Sequence, residues 1–114
     1  MRNDTLGSTN GRYKVITLCG STRFRQQFER INAELTLQGH VVISVGVFVH
    51  AGDHPVTEAQ KTMLDSVHLQ KIDMADEIFV VNPGGYIGES TGREIEYARR
   101  KGIPVRYLEQ QGTA

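Results

Sequence analysis

The residue best placed to do chemistry is Glu94, in the stretch VVNPGGYIGESTGREIEYARR at residues 80–100. One turn into a helix above the ends of parallel strands, its carboxylate faces the crevice where such sheets bind ligands. A carboxylate there can attack an anomeric carbon and form a covalent glycosyl intermediate. Thr91 and Glu94 also have the spacing of a capping box, in which the glutamate accepts a hydrogen bond from the N-cap amide. The two roles conflict, so the orientation of Glu94 decides between them.

Two loops offer groups that can bind a ligand. In CGSTRF an apolar strand ends at Gly20 and a helix follows, so Ser21 and Thr22 present backbone amides at the positive end of a helix dipole. Arg23 adds a guanidinium suited to phosphate. The plainer interpretation is that Ser21 or Thr22 caps the helix and Arg23 points to water. The second loop combines flexible glycines, a tyrosine and two hydroxyls, and its candidate substrate-binding residues are Gly84, Gly85, Tyr86, Gly88, Ser90 and Thr91.

The second loop also leaves structural alternatives open. Ser90 or Thr91 is expected to begin the helix that follows. Tyr86 either stacks on a base or packs against the loop. Glu96 lies about 200° around the helix from Glu94, so both do not face the crevice. Glu96 and Glu89 are therefore expected to be solvated.

His68 is the second candidate catalytic residue. It lies four residues after Leu64 and four before Ile72, on the apolar face of a predicted helix. A histidine in such a place is commonly a satisfied core residue. A pKa near neutrality would also allow it to transfer a proton to a leaving base.

Neither a metal nor a cofactor is expected. His50, Asp53 and His54 lie close in sequence but lack a metalloenzyme spacing. Cys19 is the single cysteine, which excludes an internal disulfide and a cysteine-based zinc cluster, and its place at a strand end predicts an inert buried thiol. The chain has neither the G-x-G-x-x-G motif nor the Gly-Lys-Ser/Thr ending of a triphosphate-binding loop.

The elements that position these residues follow from the hydrophobic pattern. Apolar runs predict strands over residues 13–19, 40–45, 76–82 and 103–109, the first two of them buried. Helical spacing predicts helices over residues 21–39, 57–75 and 90–101, with Leu64, Val67 and Ile72 on the buried side of the middle one. This alternation predicts a single-domain α/β fold, Rossmann-like or flavodoxin-like. Its doubly wound, mostly parallel sheet would have four to five strands and helices on both faces.

Length and composition limit the possible partners. The 114 residues are enough for one domain, which we place at residues 13–109, after a disordered leader at 1–12 and before a flexible tail at 110–114. Thirteen basic and thirteen acidic residues give a net charge of zero, so a nucleic acid polymer is not expected as a partner. No apolar stretch is long enough to span a membrane, and the polar N-terminus does not resemble a signal peptide. A cytoplasmic protein with a small-molecule ligand is expected.

Taken together, CGSTR, ADEIFVVN with its glycine loop, and GREIEYA resemble the nucleoside 2-deoxyribosyltransferase-like superfamily over about residues 15–108. Within it, the 2'-deoxynucleoside 5'-phosphate N-hydrolases are the most similar in function. The resemblance implies that Glu94 is the nucleophile and that the turn at residues 20–23 holds a 5'-phosphate. The implied ligand is a nucleoside or nucleoside monophosphate, and the implied reaction is cleavage or transfer at its N-glycosidic bond.

The resemblance has two further implications. Related enzymes complete their sites across a dimer interface, so a homodimer or higher oligomer is expected, with Tyr97, Arg99 or Arg100 near the contact. The family commonly has an aspartate where this chain has His68, and an aspartate or serine where it has Gly88. These differences favour an alternative function, a nucleotide-binding or sensing module without turnover.

Overall fold

The structure, a computed structural model, describes residues 12–52 and 54–110. Four parallel strands form one sheet in the order β2-β1-β3-β4, and they are β1 (Val15–Gly20), β2 (Val41–Ile43), β3 (Glu77–Val81) and β4 (Val105–Tyr107). Three helices connect them, α1 (Arg25–Leu37), α2 (Glu58–Asp73) and α3 (Glu89–Arg100). The predicted fold class is therefore confirmed.

Successive side chains of β1 point to opposite sides of the sheet, so both faces carry apolar residues. Helices cover both faces. One face packs against α1 in a cluster of Ile16, Leu18, Phe28, Ile31, Leu35, Phe48 and Val81. The other face packs against α2 and α3 in a cluster of Cys19, Ile72, Ile78, Val80, Ile95 and Ala98. Most of the buried apolar side chains thus lie in two layers, one on each side of the two central strands.

The strand order creates a crevice between the carboxyl ends of β1 and β3. The connection through α1 leads from β1 to one edge of the sheet, and the connection through α3 leads from β3 to the other edge. Ligands of open α/β sheets bind where neighbouring connections diverge in this way. Gly20 and Val81, which are paired in register, mark the base of the crevice.

Gly20 is required at this position by the close approach of β3. Its φ is 153°, and a Cβ added there would lie 2.6 Å from the backbone oxygen of Val81. We expect Gly20→Ala to lower the free energy of unfolding by about 2 kcal/mol, because backbone at the sheet centre yields little. Gly92→Ala is the matched control, since a Cβ within α3 would meet nothing within 4 Å. It should raise stability by about 0.5–1 kcal/mol. Urea unfolding of both variants checks the opposite signs.

Two of the burial predictions were wrong. The strand over residues 40–45 was expected to be buried, but β2 lies at the edge of the sheet and Val41 is 49% exposed. An edge strand has a neighbour on one side only, so its apolar residues are less covered. Val67 is 40% exposed, because the buried side of α2 follows His68 and Ile72, four residues apart.

The chain termini lie mostly outside the description. Residues 1–11 and 111–114, which make up most of the predicted leader and tail, lie outside the described residues. Arg12 is described, and its guanidinium lies 3.5 Å from a carboxylate oxygen of Asp76. The other oxygen of Asp76 accepts a hydrogen bond from the backbone of Val15 at 2.8 Å. Among the helices described, none has the length and apolar character needed to cross a membrane.

Candidate active site

A cavity of about 410 Å³ opens at the carboxyl end of the sheet. Ten of the residues predicted from the sequence line it: Gly20, Ser21, Thr22, Arg23, His68, Tyr86, Gly88, Ser90, Thr91 and Glu94. The other two, Gly84 and Gly85, are not among the lining residues. They form a turn after β3 with φ of 66° and 82°, a conformation that glycine adopts at little cost. Those two glycines shape the loop and lie outside the cavity wall.

The start of α3 rules out the predicted capping box. Gly88 is the N-cap, with extended backbone angles, and the helix begins at Glu89. The expectation that Ser90 or Thr91 begins the helix was therefore wrong, and Thr91 is buried within the first turn. A capping box at Thr91 needs that residue to be the extended N-cap. Glu94 is thus the sixth residue of α3, about a turn and a half into the helix, and is not used for capping.

Glu94 lies where β1, α2 and α3 meet the cavity. Its side chain is 16% exposed and hydrogen-bonds with the thiol of Cys19. Burial, and secondarily the charge of Asp65, raise the pKa of Glu94 to about 7, although the thiol and Arg93 oppose the shift. The carboxylic acid and the carboxylate are therefore both populated at neutral pH.

The thiol of Cys19 contacts the carboxyl group of Glu94 from the side of the sheet. The thiol is fully buried in the cluster with Ile72 and Ile95, which confirms the predicted burial. Burial, and then the charge of Glu94, raise the pKa of the thiol well above its ordinary value. Cys19 is thus a neutral thiol that donates to the carboxylate. This contact was not predicted, because the two residues are 75 positions apart in sequence.

His68 is neutral at physiological pH. Its side chain is 10% exposed, and burial together with the charge of Lys71 lowers its pKa to about 4, against a weaker effect of a hydrogen bond to the backbone of Leu18. The expectation of a pKa near neutrality was therefore wrong. Nε2 lies 3.9 Å from Oε1 of Glu94, and since the ring is neutral this contact is not an ion pair. Nε2 is buried without a hydrogen-bond partner among the described residues.

The loop after β1 does not cap α1 through Ser21 or Thr22. The N-cap of α1 is Phe24, and the helix begins at Arg25. The Thr22 hydroxyl instead lies 2.9 Å from Nδ1 of His50 and accepts a hydrogen bond from the His50 backbone N–H at 3.1 Å. The capping alternative is thus wrong, and Thr22 joins the loop after β1 to the loop after β2.

Tyr86 closes the crevice from the other side. The Arg23 guanidinium lies 4.7 Å from the centre of the Tyr86 ring, within cation–π distance. Phe24 contacts the same ring edge-on at 6.0 Å between centroids. Tyr86 therefore packs against the loop after β1, and it also lines the cavity. Both of its predicted alternatives remain compatible with this position.

Several cavity residues on α2 were missed in the sequence. Lys61, Leu64, Asp65 and Lys71 line the cavity beside His68, which was predicted. Their spacing of three and four residues places them on one face of a helix, and this signal was present in the sequence. The prediction from the sequence used only the apolar residues of α2 and His68, so it did not include the charged Lys61, Asp65 and Lys71. The Lys71 ammonium donates to the backbone oxygen of Ser44 at 2.8 Å, and burial lowers its pKa.

The two other glutamates of α3 are solvated, as predicted. Glu89 and Glu96 are exposed, and their carboxylates pair with Arg93 and Arg100 four residues on, at 3.7 and 3.8 Å. Such exposed pairs add little stability. Glu89 also lines the cavity, but from an exposed position, so Glu94 is the one largely buried carboxylate that α3 directs to the cavity.

Comparisons of the chain with protein-family models, with curated proteins and with solved structures found no match.

Proposed function

We propose that the protein cleaves or transfers the N-glycosidic bond of a nucleoside, a deoxynucleoside or its 5'-monophosphate, with Glu94 as the nucleophile. The observation that carries the proposal is the position of Glu94, largely buried at the cavity and not engaged in capping. The resemblance of CGSTR and GREIEYA to the nucleoside 2-deoxyribosyltransferase-like superfamily supports the same reaction.

In this reaction the ionised Glu94 attacks C1' of the sugar, and the bond to the base breaks. The resulting glycosyl ester is then resolved by water, which gives hydrolysis, or by a second base, which gives transfer. Partial burial favours attack because a poorly hydrated carboxylate is a stronger nucleophile. The same burial raises the pKa of Glu94 to about 7, so the reactive carboxylate is fully formed only above neutrality.

The cavity wall offers groups for each part of a nucleotide. Val45, Val47, Val49 and Leu64 form an apolar surface that suits a planar base. The Arg23 guanidinium is the main group for a 5'-phosphate, because the backbone amides of Arg23 and Phe24 already bond to Ser21 at 3.3 and 3.1 Å.

Proton transfer to the leaving base is assigned to Lys71, because the neutral His68 has no proton to spare for an acidic step. The lowered pKa of Lys71 makes its ammonium a better proton donor. Nε2 of His68 is suited to accept a hydrogen bond from a sugar hydroxyl. His68 therefore binds the substrate in this mechanism.

The test is incubation with a panel of nucleosides and nucleoside 5'-monophosphates, with and without a second free base. Chromatography follows the released base and any exchanged nucleoside. Release from at least one member, lost in Glu94→Gln, is the expected result. If wild type and Glu94→Gln behave alike across the panel, the proposal is wrong.

Arg23→Gln should separate the phosphate contact from the sugar and base contacts. We expect kcat/KM for the 5'-monophosphate to fall by about 10- to 100-fold, with a much smaller change for the nucleoside, since one charged hydrogen bond is worth about 1.5–3 kcal/mol. Arg30→Gln is the matched control, because Arg30 lies on α1, pairs with Glu34 at 3.5 Å and does not line the cavity. Equal losses on both substrates would contradict the assignment.

A second candidate function, nucleotide binding without turnover, is favoured by one observation. The Cys19 thiol and the raised pKa keep a large share of Glu94 in a protonated or hydrogen-bonded form near neutral pH. A protonated Glu94 donates to a ligand and does not attack it. Calorimetry with the same panel distinguishes the functions, since tight binding without any product supports the binding module.

Two further parts of the proposal concern the whole protein. A homodimer or higher oligomer stays a prediction, with Tyr97, Arg99 or Arg100 near the contact. Static light scattering that gives a monomer mass would contradict it.

A cytoplasmic location also belongs to the proposal, because nucleoside 5'-monophosphates are found there.

A further inference from the structure

Three side chains of metal-ligating type converge at the wall of the cavity. One ligand atom each from Cys19, His68 and Glu94 lies within 4.8 Å of the other two. They come from the end of β1, from α2 and from α3, so no spacing motif in the sequence joins them. Among residues 12–52 and 54–110 this is the one such cluster of three.

We propose that Cys19, His68 and Glu94 bind one Zn²⁺ ion, with a fourth coordination position open to the cavity. Zn²⁺ accepts sulfur, nitrogen and oxygen ligands in tetrahedral geometry, and sites with three protein ligands leave one position for water or another small ligand. His68 and Glu94 line the cavity and the sulfur of Cys19 lies behind them. This arrangement directs the open position towards the cavity.

His68 supplies the observation that points to a ligand independently of the cluster. Its side chain is nine-tenths buried, and Nε2 has no hydrogen-bond partner among the described residues. A buried polar atom of this kind normally has a partner. The backbone of Leu18 also interacts with the ring and opposes the lowering of its pKa. A neutral imidazole carries one proton, so a ring protonated on Nδ1 has an Nε2 lone pair that can bind a metal ion. In metal-ligating histidines the other nitrogen commonly donates to such a backbone group.

The charges of the three ligands match a divalent ion. A thiolate, a carboxylate and a neutral imidazole sum to minus two, so the site with Zn²⁺ has no net charge. A neutral unit can be buried at far lower cost than an isolated ion. On binding, the S–H bond of Cys19 breaks, its proton goes to solvent, and the sulfur bonds to zinc. The Lys71 ammonium, whose charge lowers the pKa of His68, donates a hydrogen bond to the backbone oxygen of Ser44 at 2.8 Å.

The geometry needs only small movements. Ligand atoms in a tetrahedral zinc site are about 3–4 Å apart, given Zn–S of about 2.3 Å and Zn–N of about 2.0 Å. Nε2 of His68 is 3.9 Å from Oε1 of Glu94, and all three atoms lie within 4.8 Å. Side-chain rotations that shift the ligand atoms by about 1 Å therefore complete the site. Glu94, the most exposed of the three, has the most room to move.

Zinc binding would switch off the proposed reaction, and this consequence rests on the proposed function. A carboxylate oxygen bound to Zn²⁺ is not free to attack a sugar. Activity should therefore be lost on addition of Zn²⁺ and recovered with a chelator. Mg²⁺ should have no effect, because it disfavours thiolate and imidazole ligands.

The binding test uses Co²⁺ as a spectroscopic substitute for Zn²⁺ on the full chain. Cobalt bound to a thiolate gives a charge-transfer band, and Cys19 is the only cysteine, so no other residue can produce it. We expect one Co²⁺ per chain, displaced by one Zn²⁺. Cys19→Ser should abolish the band, and His68→Gln or Glu94→Gln should weaken binding by about 100-fold or more. His50→Asn is the matched control, since His50 also lines the cavity but lies outside the cluster.

The outcomes separate this proposal from the proposed function. A wild-type chain that gives no thiolate band, or a band unchanged in His68→Gln and Glu94→Gln, overturns the zinc site without any assay of activity. Loss of binding in His50→Asn equal to that in His68→Gln also overturns it. Circular dichroism of each variant shows whether it folds. A zinc site in a chain that releases no base would leave the inference intact and remove only the inhibition.

Discussion

Glu94→Gln is expected to reduce kcat/KM for base release by about 10³-fold or more, with the fold retained. Glutamine has the shape of glutamate but is not a nucleophile, and removal of a covalent nucleophile has effects of at least this size. Glu96→Gln is the control, since Glu96 is exposed on the same helix and its carboxylate lies 3.8 Å from Arg100. It should retain wild-type activity. Activity of Glu94→Gln within tenfold of wild type would contradict the proposed mechanism.

The same carboxylate predicts the pH dependence of the reaction. Attack requires the ionised form, and the pKa of Glu94 in the folded chain is about 7. The value of kcat/KM should therefore rise with pH up to about 7 and then stay level until the Lys71 ammonium loses its proton, because kcat/KM reports the ionisation of the acid and the base in the free enzyme. An ordinary glutamate, with a pKa near 4.5, would give a profile already flat at pH 6. A pH series on one active substrate checks this.

Glu94→Gln is also expected to stabilise the protein at alkaline pH, which is the second large effect. The pKa of Glu94 rises from 4.5 to about 7 on folding, so the folded state favours the protonated acid. Wild type and variant should be alike below pH 4.5. As the pH rises from 4.5 to 7, the wild type loses stability relative to the variant. Above pH 7 the difference should level off at about 3 kcal/mol, from about 1.4 kcal/mol per pKa unit.

Thermal unfolding at pH 4 and pH 8 measures this difference. A gain of about 3 kcal/mol corresponds to a rise in Tm of about 10 °C or more for a domain of this size. Glu96→Gln should change stability by less than about 0.5 kcal/mol at both pH values, because its carboxylate is exposed to solvent. A variant that is less stable than wild type at pH 8 would show that the buried charge is compensated. The expected gain in stability with loss of activity is common at functional sites.

The pattern of apolar residues was sufficient to predict the architecture. Strands and helices alternate along the chain, and a parallel sheet with helices on both faces is the usual way for such a chain to bury all of them. The same topology rule identified the loops after β1 and β3 as the places for ligand-binding residues, and ten of the twelve predicted residues line one cavity. Local pattern succeeds here because hydrophobic periodicity and connection rules depend on neighbours in sequence.

The first turns of the helices were predicted less well. The Thr91 and Glu94 spacing fits a capping box, but α3 begins at Glu89 with Gly88 as its N-cap. Likewise α1 begins at Arg25, beyond the serine and threonine that could have capped it. Capping preferences amount to about 1 kcal/mol, and the packing of a helix against the sheet readily outweighs them. Where a helix begins was therefore decided by the tertiary structure.

By itself, the sequence determined the fold class and the set of loops that surround the cavity. Only the tertiary structure brought Cys19 into hydrogen-bond contact with Glu94 and placed His68 at 3.9 Å from it. These contacts join residues from three elements, and burial at their meeting point moves the pKa of Glu94 up and that of His68 down. Burial and charge depend on distance in space, which the order of residues along a chain does not specify.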